Sequence, residues 1–375
     1  MDIGFFLKKI NPAQGVKKFH RFISVLSDNC RVFFFTARPV NGPASIVWDV
    51  TNSCNLKCGF CKKRDIGKEG SPGGKPGLTR ADRIAIIDKI ADAGVWLLSF
   101  CGGEPLLCED LDALIRRAKY RGLVVNVSTN GFLLEAQARK LVDAGVDLIT
   151  ISIDSHDPGV LDNLRGQDGH FDRVIKGLRA LRALRKIRRV FVESRCLINR
   201  ANCFALDEFV RFWRDKVDFI TFKPIYENPL VGYHLPQGMR IPLEEKERFE
   251  HYFSRLLKKH RFLNNSYNRL IPKFLFTPSE LNRKFFCFAG TFFAGIDPWG
   301  NLLPCHEMSV LPNQPVGNLR DEDFMAVWRK SGLASLRKSF KAGLRCNCWM
   351  DRFLLNIYLQ RLLYPIDRLL NGWRS

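Results

Sequence analysis

Apolar and polar positions alternate in blocks along the middle of the chain, and the blocks predict strands and helices in turn. Short apolar runs indicate buried strands, and each is followed by a stretch with helical spacing of its apolar positions. The predicted strands are Ile46–Val50, Val95–Phe100, Leu123–Val127, Asp147–Ile153, Val190–Leu197 and Phe219–Lys223. The predicted helices cover 79–93, 109–121, 134–144, 171–186 and 204–215. This alternation predicts an α/β fold in which helices cover a parallel sheet.

A short internal repeat favours a barrel or partial barrel over a doubly wound sheet. Ala93-Gly94-Val95 precedes the second predicted strand, and Ala144-Gly145-Val146 precedes the fourth. We expect each glycine to end a helix, because glycine adopts the left-handed conformation found there.

The flanking segments have a different pattern. Residues 1–45 form a basic segment whose apolar positions have helical spacing. That stripe consists of Phe19, Phe22, Ile23 and Leu26. The helix either packs on the following domain or lies on a membrane surface.

The predicted organisation continues with a barrel at 46–223, a connecting segment at 224–284 with a helix at 243–260, a cysteine-bearing region at 285–350 and amphipathic helices at 351–375.

Composition and charge limit the functional classes. Hydrophobic residues make up 46% of the 375, which excludes a disordered chain. Lys and Arg number 59 against 38 Asp and Glu, giving a formal net charge of +21. No recognised RNA- or DNA-binding module accompanies that charge, which argues against a nucleic-acid partner. Without a signal peptide or an apolar run long enough to span a bilayer, we expect a cytoplasmic protein, with peripheral contact at the inner membrane face as an alternative.

The twelve cysteines are mostly grouped, which indicates metal binding or catalysis rather than disulfides. Cys54, Cys58 and Cys61 have the spacing C-x3-C-x2-C directly after the first strand. Three thiolates can hold a [4Fe-4S] cluster and leave one iron open. A structural zinc site normally has four protein ligands, and no fourth ligand lies nearby in sequence. Cys196 and Cys203 are expected to be buried apolar residues.

Four further motifs occur in order at or after the carboxyl ends of the next strands: Cys101–Pro105, Ser128–Gly131, Ile151–Asp154 and Asn163–Gly166. With the cysteines they make the chain resemble the radical S-adenosylmethionine (SAM) enzymes. In that family the first motif accepts the cofactor's ammonium group, and the next two line its ribose and carboxylate. The arginine of the last segment can pair with a carboxylate. The residues implied to bind the cofactor are Gly102, Gly103, Glu104, Pro105, Ser128, Asn130, Ser152, Asp154 and Arg165.

The resemblance implies a partial (β/α)6 TIM-like barrel and a radical reaction. SAM would bind the open iron of the [4Fe-4S] cluster on Cys54, Cys58 and Cys61. One electron, from a ferredoxin or flavodoxin, would cleave SAM to methionine and a 5′-deoxyadenosyl radical. That radical would remove hydrogen from an unactivated carbon of the substrate. Such an enzyme is oxygen-sensitive.

The second cysteine group is similar to the auxiliary-cluster extension called SPASM or its shorter relative, twitch. Cys287, Gly300 and Cys305 fit C-x12-G-x4-C, with a hairpin-like turn at 297–301. Cys346 and Cys348 follow as a C-x-C pair instead of the longer SPASM run. These four cysteines predict one auxiliary [4Fe-4S] cluster. His306 is an alternative ligand, and structural zinc is an alternative metal.

The sequence therefore predicts a radical SAM oxidoreductase or maturase with an auxiliary cluster. Peptides, lipids or isoprenoids, and small metabolites are its candidate substrates. A non-catalytic iron–sulfur protein for electron transfer or scaffolding is the alternative. The Gly102–Pro105 motif and Arg165 favour the enzyme, because an electron carrier has no use for an amino-acid pocket beside an open iron.

Overall fold

The computed structural model describes residues 12–35, 37–61, 63, 77–228, 231–284, 287–310, 316–341 and 347–349. Its strands are β1 Ser45–Asp49, β2 Leu97–Cys101, β3 Val124–Thr129, β4 Leu148–Ser152, β5 Phe191–Ile198, β6 Phe219–Pro224, β7 Phe293–Ile296, β8 Asn301–Leu303 and β9 Gly317–Asn318. The barrel helices are α2 Arg80–Asp92, α3 Leu111–Tyr120, α4 Leu134–Ala144, α5 Pro158–Arg165, α6 His170–Leu184 and α7 Leu206–Trp213. The flanking helices are α1 Pro12–Phe35, α8 Lys246–Lys259, α9 Ser266–Arg269, α10 Ile271–Phe276, α11 Pro278–Lys284, α12 Phe324–Trp328 and α13 Ser331–Lys341.

The described strands form one sheet in the order β6-β5-β4-β3-β2-β1-β7-β8-β9. Strands β1 to β6 are parallel neighbours, so the partial (β/α)6 barrel predicted from the sequence is confirmed. Strand β7 adds to the open side of β1, also parallel, and β8 and β9 continue antiparallel. Gly145 ends α4 in the left-handed conformation, as the repeat predicts.

The two faces of the sheet differ in polarity. The outward face packs apolar side chains, Trp48, Phe100 and Ile151 among them, against the helices in the main core. Cys196 and Cys203 lie in that core, as expected. The inward face instead has polar residues towards the carboxyl ends of the strands, including Asp49 on β1, Asn126 on β3 and Glu193 on β5. Towards the amino ends it has a small apolar cluster that contains Val124 and Leu148. Hydrogen-bonding groups therefore line the carboxyl-terminal part of the barrel interior.

Helix α1 packs on the barrel through a face that differs from the predicted stripe. Ile23 is 43% exposed, whereas Val25 and Val32 are buried; the side chains of Phe19 and Phe22 lie outside the described residues. The difference arises because two buried polar residues dock the helix. The Asp28 carboxylate accepts from the N–H groups of Val40 (2.9 Å) and Asn41 (2.8 Å), and the Asn29 amide bonds Gly42 and Ala44. Leu26 packs with Phe33 in an apolar cluster.

The region after β6 contains the short helices α9, α10 and α11, which the sequence did not predict, as well as α8. The predicted hairpin-like turn is confirmed between β7 and β8. There the Asp297 carboxylate accepts from the N–H groups of Trp299 and Asn301, both at 2.9 Å, and Gly300 has a φ of +84°. Cys346 and the predicted terminal helices at 351–375 lie outside the described residues. No helix in the described ranges is long and apolar enough to cross a membrane.

Candidate radical SAM site

The first cysteine loop begins at the carboxyl end of β1. Cys54 and Cys61 are exposed and Cys58 is buried. The loop is held from within by the Cys61 N–H, which donates to the Cys58 carbonyl (3.2 Å). In the described ranges, no three His, Cys, Asp or Glu side chains converge on a site for a single metal ion. A cubane places each thiolate on a different iron, so its ligands need not converge in that way.

Gly102 and Gly103 press directly against this loop. The Gly103 N–H donates to the Thr51 carbonyl (2.7 Å), and the Glu104 N–H donates to the Ser53 carbonyl (2.8 Å). A Cβ on Gly102 would lie 2.2 Å from the Thr51 oxygen, and one on Gly103 would lie 2.2 Å from the Ser53 oxygen. These glycines therefore allow close approach between two segments of backbone, a role the sequence motif did not reveal.

Glu104 is fully buried, and both of its carboxylate oxygens are engaged by the chain itself. One accepts from the Leu106 N–H (3.0 Å) and the Thr129 hydroxyl (2.6 Å), and the other accepts from the Asn130 N–H (2.7 Å). Burial raises the pKa of Glu104 to about 7 although these three donors oppose the shift. Glu104 thus ties the end of β2 to the end of β3, and its role toward a cofactor stays a prediction. Pro105 is buried and begins the 3-10 turn Pro105–Leu107.

Asn130 connects β3 to the cysteine loop. Its side-chain nitrogen lies 2.9 Å from Oδ1 of Asn55 and 3.9 Å from Sγ of Cys54. Ser128 and Ser152 are half-buried on the inward face. The side-chain nitrogen of Asn55 is buried without a hydrogen-bond partner among the described residues.

Arg165 and Asp154 form a buried ion pair behind Cys58. Nη2 of Arg165 lies 2.5 Å from Oδ2 of Asp154, and Nη1 lies 4.0 Å from Sγ of Cys58. The guanidinium also stacks on Phe60, 5.4 Å from the ring centroid. Burial raises the pKa of Asp154, while Arg165 opposes that shift. Nε of Arg165 is buried and has no partner in the described part of the chain.

These residues fit SAM. Buried donors without acceptors are rare in native proteins and cost about 1–3 kcal/mol each. Two such donors lie at this site, one on Arg165 beside Cys58 and one on Asn55 within the cysteine loop. A ligand with oxygen acceptors would satisfy them, and the carboxylate and ribose of SAM provide such oxygens.

The second cysteine group is only partly within the described residues. Cys287 and Cys305 pack in one apolar cluster with Phe288 and Phe292, and Cys348 is buried. Cys30 of α1 packs on the same cluster, which the sequence did not indicate.

His306, the alternative ligand predicted from the sequence, instead contacts the end of β1. Its Nε2 lies 3.0 Å from Oδ1 of Asp49, and the other oxygen of Asp49 accepts from Lys63. Burial opposes ionisation of Asp49, but Lys63 and His306 outweigh it and hold the pKa of this carboxyl well below its usual range. The sequence missed Asp49 and Lys63 as site residues. The polar residues on the inward face near the carboxyl ends of the strands were a signal that could have found Asp49.

Comparison with known proteins identifies the family. Residues 48–194 match the Radical SAM superfamily, and residues 287–349 match SPASM, an iron–sulfur cluster-binding domain. The chain is 28% identical over 315 residues to the AdoMet-dependent heme synthase of Methanosarcina barkeri, covering 78% of this chain and 83% of that protein. It is 32% identical over 218 residues to a probable GTP 3′,8-cyclase of Methanococcus maripaludis, covering 56% of this chain and 69% of that one.

A solved structure shares the fold. Streptococcus suis SuiB bound to S-adenosylmethionine superposes with a TM-score of 0.61 at 20% identity, covering 80% of this chain and 68% of that chain. The two matched domains imply a [4Fe-4S] cluster, SAM and auxiliary iron–sulfur binding. The chain belongs to the radical SAM superfamily and is an enzyme of that family with a C-terminal SPASM domain.

Proposed function

We propose that this enzyme cleaves SAM reductively at a [4Fe-4S] cluster on Cys54, Cys58 and Cys61 and removes hydrogen from a substrate carbon. Bound SAM supplies the radical chemistry, and the protein holds the reacting groups in line. A single observation supports this most: the cysteine loop is packed against Gly102 and Gly103, and it is flanked by Arg165, whose buried Nε lacks an acceptor.

The proposal assigns separate tasks to the residues around the loop. Arg165 and Asn55 would donate hydrogen bonds to the oxygens of SAM, and Asp154 would hold the guanidinium in place. Glu104 would position Asn130 beside Cys54. One auxiliary [4Fe-4S] cluster on the second cysteine group would assist the reaction. A ferredoxin or flavodoxin in the cytoplasm would supply the electron.

The experiment begins with anaerobic purification and reconstitution with iron and sulfide. Two cubanes predict about eight irons per chain. We expect 5′-deoxyadenosine after dithionite reduction in the presence of SAM. A Cys54/Cys58/Cys61→Ala variant should keep about four irons per chain and form no 5′-deoxyadenosine. Cys108→Ala, outside both cysteine groups, is the matched control and should resemble the wild type.

Two outcomes would contradict the proposal. Stoichiometric zinc would remove the cluster on which it depends. A full iron content without cleavage of SAM would instead favour an iron–sulfur protein that carries electrons or serves as a scaffold. If the proposal holds, peptides, lipids and small metabolites are the substrates to screen, together with tetrapyrroles because of the resemblance to the heme synthase.

A further inference from the structure

The barrel interior contains an arginine that the cofactor site does not use. Arg195 lies on the inward face of β5, where Glu193 precedes it by two residues. Nη2 of Arg195 donates to Oε2 of Glu193 (2.9 Å). The same oxygen accepts from the Thr150 hydroxyl (2.7 Å), and the other accepts from the Thr221 hydroxyl (2.6 Å). One end of the guanidinium is therefore fixed by a carboxylate that two neighbouring strands hold in place.

Glu193 is ionised at neutral pH and serves as this anchor. Its side chain is almost completely buried. Burial opposes its ionisation, but the Arg195 guanidinium and the two hydroxyl donors favour the charged form, and the pKa of Glu193 lies below its usual range. A fixed negative charge keeps the guanidinium in one orientation, and that reduces the entropy lost when a ligand binds.

Arg195 has hydrogen-bonding capacity that this pair does not use. A guanidinium carries five N–H donors. The Nε donor of Arg195 is buried and has no acceptor among the described residues, while a quarter of the side chain (25%) remains accessible. A buried donor without an acceptor costs free energy, so we expect a ligand to supply the acceptor.

The position of Arg195 indicates that this ligand is the substrate and not the cofactor. In the sheet register Arg195 lies beside Ser152, the last residue of β4, and its charge acts across the interior on the Cys101 thiol at the end of β2. The predicted cofactor residues lie on β3 and β4 and in the segments that follow β2, β3 and β4. Arg195 is on the next strand, and so it faces the interior beside the cofactor rather than behind the cluster.

Two other basic side chains near this interior already have assigned partners. Lys63 is paired with Asp49, and Arg165 is paired with Asp154 beside Cys58. We propose that Arg195, anchored by Glu193, binds an oxyanion of the substrate, a carboxylate or a phosphate, and so orients that substrate in the barrel interior. This inference rests on the proposed function, and it assigns the substrate to the anionic class.

Binding of small probes tests the proposal without knowledge of the substrate. The reconstituted full-length enzyme, saturated with SAM under anaerobic conditions, is dialysed to equilibrium against citrate, pyrophosphate or neutral glycerol. We expect saturable binding of citrate or pyrophosphate and none of glycerol. Whichever anion binds distinguishes a carboxylate site from a phosphate site. Arg195→Gln should weaken that binding at least tenfold.

Three variants separate this site from folding defects and from the general positive charge of the surface. Arg195→Gln leaves Glu193 buried without its partner, so the double variant Glu193→Gln/Arg195→Gln removes both charges together; it should fold and still fail to bind the anion. Arg195→Lys should keep part of the binding because it keeps the charge. Arg173→Gln changes an exposed arginine stacked on Phe132 and should bind like the wild type.

The proposal is overturned if neither anion binds saturably, or if the Arg195 variants bind as well as the wild type. Iron content and 5′-deoxyadenosine formation are measured on the same samples. Absent SAM cleavage in the wild type would contradict the proposed function, whereas intact cleavage with binding independent of Arg195 would contradict this inference alone.

Discussion

His306 and Asp49 are 257 residues apart in the chain, yet Nε2 of the first lies 3.0 Å from Oδ1 of the second. His306 directly follows Cys305, and Asp49 ends β1, from which the first cysteine loop departs. The other oxygen of Asp49 accepts from Lys63, two residues beyond Cys61. One buried carboxylate therefore joins the segments that carry the two cysteine groups.

Replacing Asp49 by Asn should weaken this connection. The amide keeps the shape but loses the charge, so Lys63, only 12% exposed, loses its ionic partner, and breaking a buried pair typically costs about 3–5 kcal/mol. We expect a lower unfolding temperature and less iron per chain after reconstitution, measured by calorimetry and iron analysis. Asp88→Asn, in a more exposed pair with Arg117 and Arg121, is the control and should have a much smaller effect. Equal effects of the two substitutions would contradict the prediction.

Gly103→Ala should disrupt the first cysteine loop by steric conflict alone. The added Cβ would lie 2.2 Å from the Ser53 oxygen and 2.5 Å from the Asn52 oxygen, both backbone atoms that cannot move without displacing the loop. We expect loss of iron from the first site and loss of SAM binding, measured by iron analysis and equilibrium dialysis. Gly59→Ala lies in the same loop with open space around its Cβ and should keep both properties. Full iron content in Gly103→Ala would show that the close contact is not required.

Arg165→Lys should weaken SAM binding while preserving the charge. Lysine cannot contact Asp154 and face Cys58 with two separate nitrogens as the guanidinium does, and it cannot reproduce the stacking on Phe60. We expect the Kd for SAM to rise about tenfold, equivalent to about 1.4 kcal/mol, with iron content unchanged. Arg173→Lys, an exposed arginine stacked on Phe132, is the matched control. The assignment of Arg165 would be wrong if both variants bound SAM like the wild type.

The fold could be predicted from the sequence because strand and helix periodicity are local properties of the chain. All six barrel strands and five of the helices lie within about three residues of the predicted bounds. Helix α5 was missed, although Asp157 caps its start and Gly166 ends it. The exposed Ile23 shows the limit of apolar spacing, since buried Asp28 and Asn29 decide which face of α1 docks.

The site could be predicted only in part, because a sequence motif identifies residues but not the groups that those residues contact in the fold. The cysteine spacing and the Gly102–Pro105 motif identified the family. The engagement of Glu104 by three donors, the anchoring of Arg195 by Glu193 and the contact of His306 with Asp49 depend on strands meeting in space. No local pattern encodes pairs of this kind.

Lys89 connects the barrel to the C-terminal region, and we expect this contact to stabilise the folded protein. Its Nζ on α2 donates to the carbonyls of Leu319 (2.7 Å), Arg320 (3.3 Å) and Glu322 (2.9 Å). Lys89→Met removes a charged donor and leaves these oxygens without it, so we expect the free energy of unfolding to fall by about 2 kcal/mol. Denaturant titration checks this, with the exposed Lys140→Met as control. A loss no larger than that of the control would contradict the prediction.

Glu104 should make the stability of the enzyme depend on pH. Burial raises its pKa from 4.5 to about 7 in the folded protein, so protonation favours the folded state. This contribution is fully present below pH 4.5 and is lost as the pH rises through 7. The difference is on the order of 3 kcal/mol.

Calorimetry on the reconstituted enzyme between pH 5 and pH 8 measures this dependence. Glu104→Gln stays neutral throughout, so its unfolding temperature should fall less over this range than that of the wild type. It should also be lower at pH 5, because an amide nitrogen cannot accept a hydrogen bond, so either the Leu106 N–H or the Asn130 N–H loses its acceptor. Glu135→Gln, an exposed carboxyl on α4, should retain the wild-type slope. If Glu104→Gln retained that slope as well, the buried carboxyl would not be the titrating group.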